Sequence, residues 1–86
     1  MECGLFLGVN IQNLEVQSRA LKSHLFKNYL IEMTTAEGVF IGKKVESRID
    51  KESLWNLEAN IQSILHKLIP ELKSKEIPLI LLPFHE

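Results

Sequence analysis

The chain has 86 residues and one cysteine, and its ten Lys and Arg stand against eleven Asp and Glu, for a formal charge of −1. A single domain spanning 1–86 fits that length, with a small core. An apolar content of 45% and a charged content of 24% are those of a folded chain and argue against disorder. The near balance of charge offers no field to draw nucleic acid or an anionic membrane, and a lone cysteine excludes an internal disulfide framework and a multi-cysteine zinc site.

Residues 3–9 alternate as a strand, with Cys3, Leu5, Leu7 and Val9 on one side and Gly4, Phe6 and Gly8 on the other. A phenylalanine between two strand glycines calls for a ring or a backbone that covers them. Residues 11–27 carry a helical stripe through Ile11, Leu14, Ser18, Leu21 and Leu25, with Asn10 or Asn13 as N-cap. Residues 29–34 and 39–46 alternate as the two arms of a β-hairpin. Gly38 closes its Thr35-Ala36-Glu37-Gly38 link, where a short loop needs positive φ.

Residues 51–69 hold the widest apolar stripe, from Leu54 and Leu57 to Leu65 and Leu68, behind an Asp50 N-cap. Pro70 kinks this helix, or ends it near Ile69 and starts a short second turn. Residues 77–84 form a last strand that is apolar on both sides. Its Pro78 and Pro83 donate no ladder hydrogen bond, which assigns it to a sheet edge.

The order β-α-β-β-α-β predicts an α+β fold of the ferredoxin-like βαββαβ kind. In it, two helices lie on one face of a four-stranded antiparallel sheet of strand order 4-1-3-2. Alternation then places Leu5, Leu7, Ile31, Met33, Val39, Ile41 and Val45 beneath the helices. The opposite face receives Phe6, Leu30, Phe40, Ile80, Leu82 and Phe84. A sheet face turned to water is ordinarily polar, so this apolar set predicts a covering partner, a second copy of the chain first of all.

Other features are weaker. Trp55 lies one position off the Leu54 stripe; it flanks the core or stands out as an interface anchor. Lys22, Lys27, Lys43, Lys44 and Arg48 fall in one basic stretch, read as a solvated flank or as a dock for an acidic partner. His24, His66 and His85 lack ligand spacing, so no metal site is expected. Cys3 reads as a small buried hydrophobe, and no glycine-rich phosphate loop or paired carboxylates suggest a cofactor or an enzyme. No signal sequence or membrane segment is read, and the expected location is the cytoplasm.

Leu5-Phe6-Leu7-Gly8 is similar to the first signature of RNA-recognition-motif domains, and Phe40 stands where the second signature carries an aromatic. The resemblance implies rings that stack bases. The segment Glu37–Gly42 lacks the basic residue and the further aromatics of that signature, so nucleic acid ranks last among the partners. The leading expectation is a non-enzymatic interaction or regulatory module, homodimeric through the open sheet face. An inhibitor, immunity-type or phage-encoded protein that binds another protein, or a small-molecule sensor at a dimer seam, are the alternatives.

Overall fold

A computed structural model describes residues 4–84; the readings made on Cys3 and His85 lie outside the described residues. Strand β1 is Gly4–Asn10. Helix α1, Leu14–Leu21, follows a cap in which the Asn13 side chain accepts from the amides of Glu15 and Val16. A second helix, α2, spans His24–Tyr29. Strands β2 (Ile31–Thr35) and β3 (Gly38–Val45) form the hairpin, α3 covers Lys51–Leu68, and β4 is Ile80–Phe84. Among the described residues the result is an α+β fold: three α-helices and one antiparallel sheet of order β2-β3-β1-β4. β1 is central and the proline-bearing β4 lies at an edge, as its missing N–H requires.

The stretch 11–27 is two helices, not one. Lys22 caps the first, and the Ser23 hydroxyl then accepts from the Leu25 amide to start the second. A serine that satisfies an orphan N–H competes with continued helix at that point. The long helix behaves more simply. Asp50 accepts from Ser53 N–H at 2.7 Å, and α3 ends at Leu68. Pro70, which has no N–H to give, opens a separate 3₁₀ turn at Pro70–Leu72.

The hairpin corrects the alternation expected of β2. Its loop is Ala36-Glu37, and Gly38 takes φ +130°, a value that favours glycine. With Thr35 opposite Gly38, every odd residue of β2 lies opposite an even residue of β3. Ile31 therefore pairs with Gly42 and Met33 with Phe40, on the helix-free face. Leu30 moves the other way. It caps α2 in an extended conformation and is buried in the core beneath the helices. Tyr29 belongs to α2, and the last strand starts at Ile80, three residues later than expected.

The main core lies between the helices and one sheet face. It gathers Leu7, Val9, Ile41 and Val45 from the central strands with Ala20, Ile61, Leu65 and Leu68 from α1 and α3. The segment 73–79 has no regular structure but is strapped to α3. Ile77 N–H donates to Gln62 Oε1 at 3.0 Å, and Gln62 Nε2 donates back to the Ile77 carbonyl. His66 Nε2 lies 2.8 Å from the Lys75 carbonyl oxygen. This strap buries Ile77 and delivers the chain to β4.

Candidate functional site

The helix-free face is built from alternate residues of all four strands. The registers place Phe6 opposite Leu82 and Lys44, Gly8 opposite Ile80 and Gly42, and Gly4 opposite Phe84. Ile31 and Met33 extend the same face across β2. Of the residues assigned to it from sequence, Phe6, Phe40, Ile80, Leu82 and Phe84 are brought together, and Leu30 is not.

Phe6 and Phe40 are not exposed on it. Phe6 is 0% and Phe40 4% accessible, although no helix lies over them. For Phe6 the two central glycines make this possible; Phe40 lies between Met33 and Asn10 in the neighbouring strands. A Cβ at Gly8 would strike the Ile41 carbonyl and come within 2.5 Å of Phe6 Cε1, so the ring lies along its own strand over Gly8. A Cβ at Gly42 would strike the Leu7 carbonyl and lie 2.5 Å from Gly8 Cα, so β1 and β3 approach closely at this glycine pair. Phe84 stacks beside Phe6, with centroids 6.3 Å apart and planes 17° off parallel. Lys44 Nζ sits 5.1 Å from the Phe84 centroid, within cation–π range.

A second, thin apolar layer results. Its two inner rings are enclosed, and its outer ring of Met33, Leu82 and Phe84 is half-buried. Ile31 and Ile80 are 39% and 43% exposed. The expected apolar face is therefore present, but its solvent-facing part is the rim and not Phe6 and Phe40.

The basic stretch does not form one patch. Lys43 and Lys44 are neighbours in β3 and so point to opposite faces. Lys43 Nζ donates to Asn60 Oδ1 of α3 at 2.9 Å, on the helix side. Lys44 lies over Phe84 on the other side. Lys22 and Lys27 are exposed on α1's cap and on α2. Of the five, Lys44 and Arg48 come together, bordering an open depression of about 340 Å³ between the end of β3 and the first turn of α3, where Glu46 and Asp50 oppose their charge. Asp50 itself is held below the usual carboxylate range by the Ser53 backbone and side chain, as befits a helix cap.

Trp55 does not flank the core. It is 74% exposed on the outer side of α3. Glu71 pairs with Arg19 of α1, and this bond lowers the Glu71 carboxyl below its ordinary value. Among the described residues, no group of three or more His, Cys, Asp or Glu side chains is arranged to hold a metal ion. No helix among them is long and apolar enough to cross a membrane. No protein-family model, curated protein or solved structure shows significant similarity to the chain.

Proposed function

We propose that this is a ferredoxin-like βαββαβ module, its first helix split in two, that works without catalysis as a cytoplasmic homodimer joined through the open sheet face. The strand order and the antiparallel pairing of every neighbour support the topology. The lone thiol supports the compartment.

One observation carries the dimer. Ile31, Met33, Ile80, Leu82 and Phe84 ring the helix-free face, where an open sheet ordinarily turns polar residues to water. Four strands about 4.8 Å apart and about six residues long give a face of about 19 by 20 Å. Two such faces bury on the order of 1,000 Å², at the small end for a specific interface. The association is accordingly expected to depend on concentration. Ile80→Glu places a charge on the exposed rim and leaves Phe6 itself unchanged. It is expected to halve the mass measured by light scattering. A wild type that stays monomeric at high concentration, or an unchanged mass in the variant, defeats the reading.

A second reading has its own observation. Trp55 and Leu14 stand exposed on the helices, away from the open face. Large apolar side chains in that setting suit anchors for a different protein, of the inhibitor or immunity kind. Trp55→Ala would then remove binding in a pull-down while leaving the homodimer intact.

A further inference from the structure

The two edges of the sheet differ. β4 carries Pro83, with Pro78 just ahead of it, and proline is a common means of blunting an edge against strand addition. β2 has neither proline nor lysine, and it pairs with β3 on one side only. Five consecutive residues, Ile31-Glu32-Met33-Thr34-Thr35, present an edge whose single charge is Glu32.

We propose that this edge pairs with the same edge of a second copy, antiparallel about Met33, so that two sheets join into one of eight strands. The charge pattern of the strand selects that occupant and that register. Centring the two-fold axis on Met33 sets Glu32 opposite Thr34 of the second copy, Ile31 opposite Thr35, and Met33 opposite itself. All five residues are then paired, and no like charges face each other. Centring the axis on Glu32 instead would oppose two carboxylates and leave part of the strand unpaired. In the favoured register Ile31 and Met33 of both copies meet on the helix-free side. The two thin apolar layers thereby become continuous across the seam.

This seam stands apart from the open-face contact, and the two can coexist as a tetramer of stacked eight-stranded sheets. Glu32 and Thr34 make the separate test possible. Both are exposed, and both lie on the helix side of β2, away from the open face. Thr34→Glu opposes two glutamates at each end of the seam and is expected to halve the mass seen by light scattering. Glu32→Lys alone faces a neutral threonine and is expected to keep the wild-type mass. The double variant Glu32→Lys/Thr34→Glu puts lysine opposite glutamate and is expected to restore that mass, which also controls for misfolding of the single Thr34 variant. The seam is overturned if the wild type is monomeric, if Thr34→Glu keeps the wild-type mass, or if the double variant fails to restore it. A mass halved by Ile80→Glu but not by Thr34→Glu leaves the open-face contact and removes the seam. The reverse pattern leaves the seam and removes the open-face contact.

Discussion

Beneath α3, Leu7, Ile41 and Leu65 are enclosed by side chains from helix and sheet together. On the opposite face, Phe6 and Phe40 reach similar burial with no helix over them. The first face uses the depth of a second layer of structure. The second uses close approach: Gly8 and Gly42 bring the backbones together, and Phe6 lies flat in the space that absent side chains leave. Burial on one side thus comes from an added element, and on the other from omitted Cβ atoms. The difference shows that a bare sheet face can enclose an aromatic ring yet still leave an apolar rim exposed.

The largest effect should come from restoring one of those Cβ atoms. Gly42→Ala drives a methyl into the Leu7 carbonyl and is expected to cost about 4 kcal/mol or more in urea unfolding, because backbone must move. Gly4→Ala comes tightest against the flexible Lys44 Cε at 3.2 Å, with the Val45 carbonyl at an ordinary 3.6 Å, and should be nearly neutral. If both variants behave alike, close strand approach does not explain the second layer.

Truncation compares the two layers directly. Leu65→Ala opens a hole walled on all sides and is expected to cost about 4 kcal/mol. Phe6→Ala removes a larger side chain, but the half-exposed Leu82 and Phe84 can settle toward the gap, so about 3 kcal/mol is expected. A Phe6 variant distinctly costlier than the Leu65 variant would mean that the thin layer cannot relax.

The strap beside the main core should respond less. Gln62→Ala leaves both backbone groups of Ile77 unpaired and is expected to cost about 2 kcal/mol. Amide hydrogen exchange should speed up over 73–79 and not at the Gly8–Gly42 pair. Acid then probes the helix side. Glu71 and Asp50 both have folded values below their ordinary 4.5 and 3.8, held down by the Arg19 bond and by the Ser53 backbone respectively. Their folded forms bind protons less readily than the unfolded chain does. The stability they add is therefore complete at neutral pH and is lost as pH falls below about 4.5 and through the lowered values. Glu71→Gln should reduce that acid sensitivity in thermal melts. At the small end, Trp55→Ala should change stability by no more than about 0.5 kcal/mol, since the ring is exposed.

Much of this architecture is legible along the chain because its signals are local. Asp50 and Asn13 satisfy amides within three residues, Gly38 supplies the one positive φ among the described residues, and Pro70 ends a helix by lacking an N–H. The apolar periods of 51–68 and the prolines of the last strand likewise speak for themselves. The split at Ser23 was open to the same reasoning, since serine is a preferred N-cap, but the apolar stripe across 11–27 masked it.

What the sequence by itself determined was which segments are helix and which are strand, the place of β4 at an edge, and the need to cover the glycines beside Phe6. Tertiary structure alone decided the sides. A shift of one residue in strand pairing exchanges the two faces, and the two-residue loop sent Ile31 and Met33 to the open face while Leu30 went into the core. Tertiary structure also decided that Phe6 and Phe40 are enclosed, that Arg19 reaches Glu71, and that Lys43 and Lys44 serve opposite faces. Each of these depends on contacts between residues distant in the chain, where side-chain period and residue type say what is apolar but not what it will meet.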